Sequence, residues 1–186
     1  MSRVPLLSPE DAHAAAESVG VSSAAADLNV FRAWLHAPQV AGWLHELIMG
    51  LLWHGTLEPK LRELVIMRLG WSTRSDYEWT QHWRIATEFL GLDGDDLLAT
   101  RNWREEARFG PRERAILAAT DDVVELGSIG DAAWDACATE IGGEPALLVE
   151  ITAVIAVWRM VSTFLLSMEV PLEHGVSSWP PDGAAP

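Results

Sequence analysis

The sequence predicts an all-α protein, a single-domain helical bundle of about seven to nine helices. Three observations carry this reading. Apolar residues recur at helical spacing along nearly the whole chain, and no stretch of useful length shows the alternation of a half-buried strand. The helical runs are bounded by openers (Pro9, Pro38, Pro59, Pro111) and stops (Gly55, Gly91, Gly127, Gly142-Gly143). Finally, 186 residues at 49% hydrophobic content are enough for one domain with a real core.

Taken in order, Ser8-Pro9-Glu10-Asp11 opens the first helix, with a cap residue, then proline at the first helical position, then acids at the positive end of the dipole. A second helix spans about 28–36. A third runs from Pro38 to Trp53, with Val40, Leu44, Leu47, Ile48 and Leu51 on one stripe. The fourth starts near Pro59 and carries Leu61, Leu64, Val65 and Leu69 inward, and Ser72-Thr73-Arg74 reads as the turn that ends it. Ser75 followed by Glu78 matches a capping box, so a fifth helix is expected from Asp76 to about Leu90. A short acidic helix at 93–103 follows, then helices at 111–127, 131–141 and 144–169. The last has apolar residues wide enough around its circumference to be covered on two sides, by the core and by a neighbouring subunit. Residues 1–27 read as an N-terminal helical arm, 28–170 as the main helical domain, and the Gly-, Ser- and Pro-rich 171–186 as a flexible tail.

Thirteen basic against twenty-seven acidic residues give a formal charge of −14, which repels phosphate backbones and anionic lipid. Nucleic acid and membrane surfaces are therefore not expected partners; a small-molecule substrate is untouched by this argument. The single cysteine, Cys137, allows no intramolecular disulfide. The first residues lack the apolar run of a secretory signal, and Glu150, Arg159 and Glu169 interrupt the most apolar segment. These features predict a cytoplasmic protein. Ten tryptophans suit core and interface packing or a pocket for a flat, apolar substrate.

The stretch with chemical content is Glu63 to His82. Ser75, Glu78 and His82 share one helical face, and an antiparallel return of the preceding helix brings Glu63 to it. Two carboxylates and an imidazole in an apolar setting form a proton-transfer device: one acid orients the histidine, and burial raises the pKa of the other. Ser75 and Glu78 are equally accounted for as a helix start, and Glu78 with His82 as a surface pair. Metal ligation is not expected, because Glu-x-x-x-His is not the di-iron spacing and no second histidine shares the face. Arg68 is a candidate for a substrate carboxylate or for a structural ion pair.

The run Leu61-Arg62-Glu63-Leu64-Val65-Ile66-Met67-Arg68, with Ser75-Asp76-Tyr77-Glu78-Trp79-Thr80-Gln81-His82, resembles the carboxymuconolactone decarboxylase and alkylhydroperoxidase D superfamily, over about 30–168. The resemblance implies an alkylhydroperoxidase D-like helical fold and a homo-oligomer, a trimer or a hexamer. In the peroxidase branch the pattern is Glu, Cys-x-x-Cys, His. Here Glu63 and His82 match the ends, but Ser75 and Glu78 stand where the cysteines would be, so the thiolate that peroxidase chemistry needs is missing. The decarboxylase branch works without a cofactor and fits better. The expected function is thus a cofactor-independent decarboxylase, isomerase or lyase acting on a small carbonyl- or carboxylate-containing molecule. His82 would be the acid/base, with Glu63 and Glu78 as catalytic carboxylates and Tyr77, Trp79, Ser75 and Arg68 binding substrate. The alternatives are an alkylhydroperoxidase-like oxidoreductase with a non-thiol mechanism, and a non-catalytic small-molecule binder.

Overall fold

Each helix begins where the sequence supplies a reason. The computed structural model describes residues 2–186, which form ten α-helices, one π-helical and one 3₁₀ segment, and no strand. Contacts divide the chain into two compact units: the segment up to Gly55 with Phe164–Val176, and Thr56–Thr163 with Ser177–Pro186.

The first unit holds α1 (Pro9–Glu17), α2 (Ser23–Ala26), α3 (Asn29–Trp34) and α4 (Pro38–Trp53). The Ser8 hydroxyl caps α1 by accepting from the Asp11 N–H at 3.1 Å. The short α2, unforeseen in the sequence reading, is capped the same way by Ser22. Phe31 and Trp34 pack edge-on at 5.1 Å, and Trp34 lies 5.2 Å from Phe164. The stripe read on α4 is corrected: of its five residues only Ile48 is buried, alongside Ala41 and Leu52, while Val40 and Leu47 are exposed.

The second unit contains α5 (Pro59–Thr73), α6 (Asp76–Arg84), α7 (Gly94–Ala99), α8 (Pro111–Leu126) and α9 (Asp131–Glu140). The long α10 (Pro145–Met168) groups with this unit as far as Thr163. By length and composition α10 could cross a membrane. Ile151, Val154, Ile155 and Trp158 on it are nevertheless buried, as expected of a core helix.

Helix α5 is buried nearly all round, and α6 and α8 pack on it. It does not end in a turn at residues 72–74, as the sequence suggested. It stays helical to Thr73 and closes on Arg74 in the left-handed region, φ 61°. The N–H of Ser75 reaches the Gly70 carbonyl at 2.8 Å, and that of Arg74 the Trp71 carbonyl at 3.1 Å, a Schellman closure with arginine in the usual glycine place. This reverses the chain at once and lays α6 along α5. Gly70 makes the approach close: a Cβ there would stand 3.0 Å from the Trp79 backbone nitrogen. Past Arg84 the helix continues as a π segment, Ile85–Phe89, with the Leu90 N–H bonded to the Ile85 carbonyl.

The end of the chain, expected to be flexible, makes a set of specific contacts within this unit. The Trp179 indole is buried against Trp71 and Trp79, the Trp79 N–H donates to the Pro180 carbonyl at 2.8 Å, and Ser178 and the Trp179 N–H both donate to the Asp76 carboxylate.

Candidate active site

Glu63 sits two turns before Gly70 on α5, and His82 lies in the last turn of α6, so the close helix pair sets them opposite one another. The Glu63 Oε2 lies 2.8 Å from His82 Nδ1, and its Oε1 accepts from Arg62 Nε at 3.2 Å. Glu63 is wholly buried, and Arg62 and His82 are buried as well. The Arg62 guanidinium balances the Glu63 charge, so this interior holds a compensated ion pair.

The other ring nitrogen of His82 decides the tautomer. The Trp158 indole Nε1, on α10, lies 3.1 Å from His82 Nε2. An indole N–H can only donate, so Nε2 must accept, and the ring proton resides on Nδ1, where it is donated to Glu63. His82 is therefore a neutral imidazole whose lone pair points to Trp158. The rings meet edge to face at 5.8 Å.

Glu78 does not close the capping box expected of it. Ser75 occupies the N-cap position but makes no side-chain cap bond, and its Oγ is buried without a protein partner. The Glu78 carboxyl is turned inward instead, with Oε2 accepting from the Ser162 hydroxyl and Oε1 buried and unpartnered. Burial pushes its pKa up to about 8, against the Ser162 hydrogen bond and the Arg159 charge, which both pull it down. At neutral pH Glu78 is thus a neutral acid that holds its proton, while Glu63 receives hydrogen bonds on both oxygens. The two carboxyls have different environments and so different roles.

The residues read as substrate-binding have these surroundings in the fold, with Ser75 as described above. Trp79 is fully buried, stacked near Trp83 at 6.3 Å and packed on Trp71 at 5.4 Å, so it serves an aromatic core. Tyr77 is buried. Arg68 donates to Asp121 at 2.6 Å and to the carbonyls of Thr100 and Arg101, which makes it a structural ion pair. Asp121, buried, also accepts from the Trp103 indole and pairs with Arg104, a network the sequence reading missed. It also missed Trp158 and Ser162. Their one signal was a serine four residues after a tryptophan on the buried face of an apolar helix. The Cys137 thiol is buried, and burial pushes its pKa up to about 11. Among the described residues no three of His, Cys, Asp and Glu are grouped to hold a metal ion.

The all-helical fold, without a strand among the described residues, is the one found in solved alkylhydroperoxidase D-like structures. Residues 38–122 match the carboxymuconolactone decarboxylase family, which bears out the resemblance carried by Leu61–His82. No curated protein matches the chain by sequence. Among solved structures, the alkylhydroperoxidase AhpD core protein of Ralstonia eutropha JMP134, a peroxidase-related protein, matches with TM-score 0.71 at 17% identity, covering 100% of this chain and 98% of its own. A peroxidase-related protein of Silicibacter sp. TM1040 gives 0.73 at 15% identity, with 94% and 92% covered. A variant of the debrominase Bmp8 in complex with 2,3,4-tribromopyrrole gives 0.70 at 16% identity, with 94% and 95% covered. At such identities these likenesses establish the fold. Trp158 and Ser162 lie outside the matched residues, so this chain's own last helix supplies the groups that cap His82 and Glu78.

Proposed function

We propose that the protein is a cofactor-independent enzyme that moves protons on a small carbonyl- or carboxylate-containing molecule, as a decarboxylase, isomerase or lyase. The observation that carries this is the orientation of His82: Glu63 holds the proton on Nδ1, which leaves Nε2 as the side that takes a proton from substrate. Glu78, neutral at pH 7, is the proton donor of the pair. Substrate must take the place of the Trp158 N–H at Nε2, so the indole has to move aside in each turnover. The family match and the debrominase of like fold support a small-molecule substrate. A thiol peroxidase reading has no support from Cys137, the one thiol, whose pKa lies far above neutrality. The exposed α4 residues Val40, Trp43, Leu47 and Trp53 support assembly as a homo-oligomer, a trimer or hexamer.

One observation favours a rival reading, a non-catalytic binder: both His82 nitrogens are already satisfied from within the protein. A single experiment separates the two. The protein is incubated in D₂O with a panel of small β-keto acids, unsaturated lactones and a bromopyrrole carboxylate, and deuterium entry at carbon is followed by NMR. Exchange with at least one compound is expected, lost in His82→Gln and reduced on the order of 10²-fold in Glu63→Gln. No exchange with any compound, or exchange indifferent to His82→Gln, sinks the enzymatic reading and leaves the binder.

A further inference from the structure

A cavity of about 380 Å³ lies in the Thr56–Thr163 unit with the chain's end at its rim; Trp71, Ser72, Arg74, Arg101, Val124 and Pro186 are on its wall. Glu63, Glu78 and His82 are not among its lining residues. Its size falls in the range of small-ligand sites, roughly 300–1,000 Å³. The chain carries only thirteen cations against twenty-seven anions, yet three arginines, Arg68, Arg74 and Arg101, border this one space against two carboxylates, Asp121 and Glu125. Arg68 is committed to Asp121. Arg101 is different: its guanidinium lies over both the Trp71 ring, at 4.6 Å, and the Trp79 ring, at 4.9 Å. Arg101 Nε and Ser72 Oγ are buried polar atoms without a partner, and both belong to residues of this cavity wall.

The tail shows what such a wall accepts. The Asp182 carboxylate receives both Arg101 Nη1 and Nη2, at 2.7 and 3.0 Å, while the Trp179 ring meets Trp71 edge-on at 5.8 Å. So the segment offers one flat ring and one carboxylate, spaced to fit tryptophan and arginine. Its hold is reversible in kind. Asp182 is half exposed, and Trp179 sits in the left-handed region at φ 51°, an unfavourable conformation for a bulky residue.

We infer that this cavity is a binding site for a small aromatic carboxylate, and that the tail, through Asp182 on Arg101 and Trp179 on Trp71, stands beside it as an internal mimic of that ligand. The ligand's carboxylate exchanges with Asp182 on Arg101, its ring lies on the indole of Trp71, and the Ser72 hydroxyl and Arg101 Nε supply the donors the tail leaves unused. No bond is made or broken, and the proposal does not depend on the proton-transfer reading of His82.

The test is calorimetric titration of the full-length chain with indole-3-carboxylate, with neutral indole and acetate as controls. Removal of the internal competitor in Asp182→Asn is expected to tighten binding at least tenfold, because a tethered carboxylate competes at millimolar effective concentration. Arg101→Gln placed in that background should lose the gain, as should Ser72→Ala in part, and His82→Gln should bind like its parent. Thermal unfolding shows which variants are folded, and if Arg101→Gln is not, Ser72→Ala decides in its place. Affinity unchanged by Asp182→Asn, equal affinity for neutral indole, or no binding by any chain at millimolar concentration each overturns the inference.

Discussion

Glu78 makes stability depend on pH in a direction opposite to that of most carboxylates. Its folded pKa is about 8, against an ordinary value of 4.5, because burial disfavours the charged form more than Ser162 and Arg159 favour it. Between pH 4.5 and 8 the unfolded chain has released a proton that the folded chain keeps. Stability contributed by this group is therefore complete below about pH 4.5 and is lost as the pH rises towards 8. The slope is about 1.4 kcal/mol per pH unit, so over the window this group alone accounts for a ceiling of about 5 kcal/mol. Glu78→Gln keeps the shape and removes the titration. Urea unfolding of both chains at pH 5, 6, 7 and 8 is the assay. The difference in stability between the variant and the native chain should shift in the variant's favour by several kcal/mol from pH 5 to pH 8. Parallel curves would refute the reasoning, since Glu78 would then be charged in the folded protein or solvated by a path the structure does not show.

The Trp158→Phe variant loses the N–H that covers His82 Nε2, leaving a buried acceptor unpaired at a cost of about 1–3 kcal/mol. His82 in that variant should react with diethyl pyrocarbonate at least tenfold faster than in the native chain, as read by peptide mass spectrometry; equal rates would mean the indole does not shield it. Asp121→Ala strands the Arg68 guanidinium and should cost about 3–5 kcal/mol in urea unfolding, where a surface pair would cost under 1. Cys137, with a thiol near pKa 11, should resist Ellman's reagent at pH 8 in the native protein and react fully in guanidinium. Rapid labelling of the native chain would contradict its burial.

Local chemistry was readable from the chain. Pro38, Pro59 and Pro111 open helices where the sequence places them, and Gly127 ends one in the left-handed region, φ 85°. Such signals act within a turn or two of the residue that carries them, which is why they survive folding. The Glu63–His82 contact was readable for a related reason: two helices joined by a tight reversal must run antiparallel, so residues on either side of the reversal meet. The errors share a cause too. Ser75 and Glu78 match a capping box, yet Ser162, far along the chain, takes the Glu78 carboxyl, and burial replaces the local bond with a distant one. The α4 stripe failed because helical periodicity shows that one face is apolar, but not which faces are covered.

The sequence by itself determined the all-α class, the starts of the main helices, the resemblance to a family whose pattern residues 38–122 match, and the pairing of Glu63 with His82, because each is carried by residues close together in the chain. Only the tertiary structure decided that His82 is a neutral imidazole capped by Trp158, that Glu78 keeps its proton, that Arg68 is bound to Asp121, and that the tail packs by Trp179 and Asp182. Tautomer, protonation and burial are set by whichever groups remain when water is excluded, and those groups are brought together by contacts across the chain that no local pattern encodes.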